Sequence, residues 1–301
     1  MKRTLLIHPD MPEIDREHGF SNINGPSLVR VPEWVDRSRG GPLGKYYLYF
    51  AHHRGAYIRL AYADAIEGPY TIYQPGVLHR DNTVFQGRDH IASPDVHIDA
   101  ENRRFFMYFH GTYGGGQASC WATSTDGVNY TASDTLDKRN GAYFRVFWWN
   151  GHPYATYHGW LSRAQTPEWT ATFIPRDTPL FPRKSDADNT GFPRHTANLL
   201  EGDTLTVYYS LYGDSPERIR KSTVQLTNDW NDWTPSEPIE VIAPKYDFEG
   251  VDLPMRPSTG GLDRERVHEL RDPAIYCEDG KTWLLYSVAG EQGIAIMELT
   301  D

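Results

Sequence analysis

Along this chain, short runs of aromatic and β-branched residues alternate with polar turns that carry glycine. The stretch Glu269–Leu299 shows the pattern most plainly. It reads as three antiparallel strands, Ala274–Cys277, Lys281–Val288 and Gly293–Leu299, separated by the turn Glu278-Asp279-Gly280 and the loop Gly290-Glu291-Gln292-Gly293. Strands punctuated by Asp-Gly and other glycine-bearing turns signal a meander. The same unit recurs upstream. Its first copy is Asn24–Val31, a Gly/Pro-rich turn, Lys45–Ala51 and Tyr57–Ala63, with Glu67–Tyr73 turning into a fourth strand. The second is Ser93–Ile98, Arg104–Phe109 and Ala118–Ser124. The third holds Ala142–Trp149 and Pro153–Tyr157, and the fourth Thr196–Leu200 and Thr204–Ser210.

A repeat of about sixty residues, each built as strand, turn, aromatic strand, glycine loop and strand, is the signature of a propeller. Five copies predict an all-β protein, a single five-bladed β-propeller domain over residues 1–301. The last copy has only three strands. Lys2–Ile7 is available as its fourth, so the ring is expected to be closed by this N-terminal strand. The longest insert, Pro235–His268, is rich in proline, glycine and charge and is expected to be a loop or lid. A large β-sandwich is the other architecture for such strands, but it does not require the repeat.

Composition adds limits. The chain is 39% hydrophobic and 13% aromatic, which is a globular composition with a real core. A formal net charge of −10 argues against a nucleic-acid partner and against an anionic membrane surface. No stretch is long enough to span a bilayer. The apolar run in Met1–Asp15 is too short for a signal peptide, so a cytoplasmic protein is expected. Neither Cys120 nor Cys277 sits in a zinc pattern. The pattern predicts no particular oligomeric state.

In a propeller the first strand of each blade lines the channel, and the loop after the second strand returns to the same rim. This places Asn24, Asp95, Arg145, His195, Glu269, Arg271 and Asp272 together. The loops add His52, His53, His110, His158, Tyr212 and Glu291. Carboxylates and imidazoles are the groups that exchange protons near neutrality. Arg271 is expected to hold its neighbour Asp272 ionised, as a base requires. Asp126, Asp203 and Asp279 belong to turns at the opposite rim and read as structural. The Gly114-Gly115-Gly116 run has no strand-to-helix context and is no phosphate loop. Trp148, Trp149 and Trp160 read mostly as core, with one or two of them open as stacking faces for a sugar ring.

The repeat, the Ser93-Pro94-Asp95 opening and the Arg271-Asp272-Pro273 triplet together resemble the five-bladed propeller glycosidases. These are glycoside hydrolase family 43 and its fructosidase and neoagarobiose-hydrolase relatives. By that resemblance Asp272-Pro273 matches the general-base motif, and Asp95 the aspartate that modulates the acid. The family places its base in the first blade, where this chain has Asn24-Gly25-Pro26. It places its acid glutamate before Gly-Pro-His in the third, where this chain has Asn140-Gly141-Ala142-Tyr143. The acid is then to be sought among Asp95, Glu269 and a rim histidine.

The resemblance implies an exo-acting, inverting glycoside hydrolase that cleaves a terminal sugar from an oligosaccharide. Its catalytic residues would be Asp272, Asp95 and Glu269. Arg271, His53, His110, His158, His195 and Glu291 would bind the small carbohydrate. The missing glutamate keeps open a non-catalytic carbohydrate-binding propeller. No cofactor is expected. Some such propellers hold calcium in the channel, which makes calcium the ion to consider. A metal bound by the histidines lacks support from any His-x-His spacing.

Overall fold

The structure is a computed structural model that describes residues 2–35, 42–138, 141–183 and 189–300. Asn140, and part of the Gly/Pro-rich turn ahead of Lys45, lie outside the described residues. A short strand β1 (Thr4–Ile7) precedes the first blade, β2 (Asn24–Arg30), β3 (Tyr46–Ala51), β4 (Tyr57–Ala63) and β5 (Thr71–His79). The second blade is β6 (Ile91–Asp99), β7 (Arg104–Tyr113), β8 (Gly116–Ser124) and β9 (Thr131–Ala132). The third is β10 (Arg145–Trp149), β11 (His152–Tyr157), β12 (Trp160–Ala164) and β13 (Phe173–Pro175). The fourth is β14 (Pro193–Glu201), β15 (Thr204–Leu211), β16 (Ile219–Gln225) and β17 (Ile239–Ile242). The fifth is β18 (Leu270–Glu278), β19 (Lys281–Val288) and β20 (Ile294–Leu299).

These strands form five four-stranded antiparallel sheets, and β1 supplies the outer strand of the fifth by pairing with β20. The expected five-bladed propeller and its N-terminal closure are both present. Part of Pro235–His268, expected as loop, is instead the outer strand β17 of blade four. The segment beyond it is loop with one 3-10 turn, Asp247–Glu249.

The middle strands read as unbroken apolar runs because both of their faces are buried. Successive side chains in a strand point to opposite faces. In β3, Tyr47 and Tyr49 pack toward Phe105 and Met107 of blade two, while Leu48 and Phe50 pack toward Leu285 and Ile296 of blade five. In β7, Phe105 and Met107 face blade one, and Phe106 and Tyr108 face Phe144 and Val146 of blade three. Further apolar seams join blades three and four, through Trp149, Leu205 and Trp233, and blades four and five, through Tyr208, Leu284 and Tyr286. The core is thus a set of inter-blade seams around a channel. A polar group brought into that channel must find its own partners.

The strand entries share one geometry. Ser27, Asp95, Arg145, Thr196 and Ala274 each pair with the second strand of their own blade at the equivalent place. The residue two positions earlier is left-handed in four blades: Gly25 (φ 61°), Ser93 (φ 51°), Tyr143 (φ 69°) and Asp272 (φ 48°). Non-glycine residues held there cost about 1–3 kcal/mol each and cluster at functional sites. Asp272 therefore corresponds to Ser93 and Tyr143, whereas Asp95 lies two residues deeper in its strand.

Candidate active site

Asp272 heads the last blade and is almost wholly buried. One carboxylate oxygen faces Nδ1 of His195. The other accepts hydrogen bonds from Ser287 Oγ at 2.9 Å and from the Gly25 backbone N–H at 3.4 Å. Burial alone would raise its pKa. The charge and hydrogen bond of His195, the Ser287 bond and, last, the more distant Arg271 outweigh it and hold the carboxyl well below the carboxylate range. The expected partnership with Arg271 is thus corrected: the group against Asp272 is an imidazole from blade four, and Arg271 acts on the carboxylate only as the last and more distant influence.

Arg271 instead lies fully buried among four other carboxylates. It donates to Glu269 and to Asp263 (2.5 Å) and lies 3.4 Å from both Glu217 and Glu291. Glu217 is also held by Arg194, at 2.9 and 3.0 Å, and by Ser210 at 2.6 Å. Burial raises the Glu269 carboxyl despite its contact with Arg271. Glu269 is accordingly part of an ionic cluster beside the channel.

Glu291, from the loop between β19 and β20, makes the second buried carboxylate–imidazole pair, with His53 Nδ1 at 3.3 Å. Asn22 donates to its other oxygen at 2.5 Å. Burial would raise Glu291, but the His53 charge and hydrogen bond, followed by Arg271, bring it down to about 2. Burial pulls His53 down in turn, and the Glu291 carboxylate reverses this, so His53 sits above its ordinary value.

His53, His110 and His195 line one recess together with Asn24, His90, Ser93 and Tyr143. The Tyr143 ring in this wall has its centroid 4.4 Å from that of His110, 4.4 Å from that of His158 and 4.2 Å from that of His195. Only about 10 Å³ remains free, the room of a single water at most. Burial, and then the neighbouring histidines, keep His110 neutral. Burial and His195 bring His158 to about 3. On the far side of His158 an open cleft of about 490 Å³ is lined by Trp160, Arg183, Phe192 and Tyr212, among others.

Asp95 is not brought to this recess. Its carboxylate accepts from His97 Nε2 (2.8 Å) and from the Val146 backbone N–H (2.8 Å), with Arg145 at 3.9 Å. It stitches the seam between blades two and three, as its deeper register dictates. His52 turns away toward Phe20. The residues missed from sequence are Tyr143, His90, Ser287, Arg194 and Glu217. Tyr143 was findable from its place at the third strand entry. Glu217 was hidden, since nothing in its loop marks it as the partner of two arginines.

Among the described residues, no group of three or more His, Cys, Asp or Glu side chains is arranged to hold a metal ion. The oxygens of Asp272 and Glu291 are taken by imidazole, amide, hydroxyl, backbone and guanidinium donors. They do not fit the oxygen cage that calcium requires. No helix among them is long and apolar enough to cross a membrane.

The architecture is that of the family-43 five-bladed propellers. The GH43_1 enzyme from Xanthomonas citri complexed with xylose aligns at TM-score 0.64 over 99% of this chain and 91% of that one, with 14% identity. The α-L-arabinofuranosidase from Lactobacillus brevis aligns at 0.61 over 92% and 90%, with 13% identity. In sequence, the chain is 34% identical over 298 residues to the uncharacterized protein R118 of Acanthamoeba polyphaga mimivirus, across 91% of this chain and 82% of that protein, and it belongs to the same family. No family model matches it.

Proposed function

We propose that the protein is a glycoside hydrolase, exo-acting and inverting, that releases a terminal sugar from a small carbohydrate. The observation that carries this is the pair of buried carboxylates, Asp272 and Glu291, each bonded to an imidazole that lines one recess of the channel. Inverting hydrolysis needs a base that takes a proton from water and an acid that protonates the leaving oxygen across the sugar. Glu291 keeps His53 charged above its ordinary range, which suits it as the donor. The base function falls on Asp272 and the imidazole bonded to it. Asp95 and Glu269, expected as catalytic, act here by holding the walls of the site. The cleft beside His158 offers Trp160 and Tyr212 as faces for a sugar ring. Xylose and xylotriose in the Xanthomonas citri structures support a ligand of that size.

The test is a screen of aryl glycosides and natural oligosaccharides, with the anomer of the released sugar followed by NMR. Release with inversion is expected, and the absence of turnover on every substrate would refute the assignment. One observation favours a second function, that of a carbohydrate-binding propeller: the recess has almost no free space. Calorimetric binding of a sugar that is never cleaved would select it.

A further inference from the structure

We infer that the atom which takes the proton from water is Nε2 of His195, with Asp272 positioning that imidazole rather than meeting the water itself. This rests on the hydrolase reading above. Burial closes Asp272 off from a substrate water. One oxygen is against His195, the other holds Ser287 Oγ and the Gly25 N–H, and the residue is 1% exposed. Its left-handed backbone at the strand entry fixes this aim. His195, by contrast, is part of the wall of the recess.

The contact with Asp272 settles the tautomer. Nδ1 donates its proton to the carboxylate, and the lone pair of the neutral ring is then on Nε2. Nε2 makes no hydrogen bond among the described residues. A buried carboxylate that orients an imidazole and stabilises its charged form is a general solution for proton abstraction in hydrolases. The groups around His195 leave this role to it. His158 and His110 are kept neutral by burial, and the Tyr143 ring meets His195 in a T-shaped contact. Arg194, next to it in the chain, is bound by Glu217 and stacks over Tyr212.

In the step that follows, the water oxygen bonds to the anomeric carbon as the glycosidic C–O bond breaks. The water proton passes to His195 Nε2, and the His53 imidazolium gives its proton to the leaving oxygen. Exchange with solvent returns both rings to their starting states.

The discriminating variant is His195→Asn. Its amide nitrogen can still donate to Asp272 in place of Nδ1, while nothing replaces Nε2. Turnover is expected to fall about a hundred- to ten-thousandfold with an unchanged melting temperature. The double variant with Asp272→Asn should be no slower than the slower single one, because the two residues act as a unit. Imidazole added to His195→Ala should restore part of the rate, and this arm does not depend on how His195→Asn packs. Near wild-type turnover by His195→Asn, together with rescue of Asp272→Ala by formate, would make the carboxylate the base and overturn the inference. A wild-type protein that cleaves no glycoside would remove the hydrolase reading and this inference with it.

Discussion

Arg271→Met tests whether the ionic cluster behind the channel holds the site together. The side chain is fully buried, and methionine nearly matches its unbranched stem. Four carboxylates lose a shared cation, but unequally. Glu217 keeps Arg194 at 2.9 Å, Asp263 keeps Arg256 at 3.1 Å, and Glu291 keeps His53 at 3.3 Å. Glu269 has no other cation among its described contacts. Breaking a buried ion pair from one side costs about 3–5 kcal/mol. At about 2 °C per kcal/mol for a chain of this size, the melting temperature should fall by about 6–10 °C.

The pH dependence has a definite sign. The Glu269 carboxyl is already raised by burial and would rise further without Arg271. A carboxyl raised by folding supports the fold below its ordinary value of 4.5, and that support is lost as pH rises through the folded value. The deficit of the variant should thus be largest at pH 7.5 and narrow toward pH 5. Chemical unfolding at both values measures it, and Arg271→Met/Glu269→Gln should recover part of the loss. A deficit below about 1 kcal/mol, or one that grows on acidification, would refute the reasoning.

Two further outcomes are expected. Ile7, fully buried where β1 closes the ring against β20, should cost about 2–5 kcal/mol when changed to alanine; thermal melts check it, and a loss under about 1 kcal/mol would mean the closure contributes little. Asp272, Glu291 and Asp95 are all held below their ordinary values, so the stability they supply is present above about pH 4.5 and drains away as pH falls through their folded values. Melting temperatures recorded from pH 7 to pH 3 should fall along that limb, and a rise would contradict the ionised assignments.

The propeller was legible because each blade writes the same two signals, an aromatic middle strand and a glycine turn, and because the last blade lacks a strand that Lys2–Ile7 could supply. The rim was legible as a neighbourhood. Histidines 53, 110 and 195 converge on one recess, and His158 reaches it through Tyr143. Pairings were not legible. Asp272 and Asp95 both flank a proline, yet one precedes it and the other follows it, and that offset separates the channel from the seam. Arg271 looked like the partner of Asp272 only because the two are adjacent in sequence, whereas the group against the carboxylate comes from blade four. Glu217, Glu269 and Glu291 meet on Arg271 from different loops, and no local pattern encodes such a meeting.

The central claim is that Asp272 is essential to sugar release. It is tested most directly by comparing turnover of wild type and Asp272→Asn on one glycoside under identical conditions, with folding checked by thermal melt. Asparagine can still accept from Ser287 but cannot hold a charged imidazole. Turnover should fall at least about a hundredfold while sugar binding persists. Equal rates for the two proteins would contradict the account.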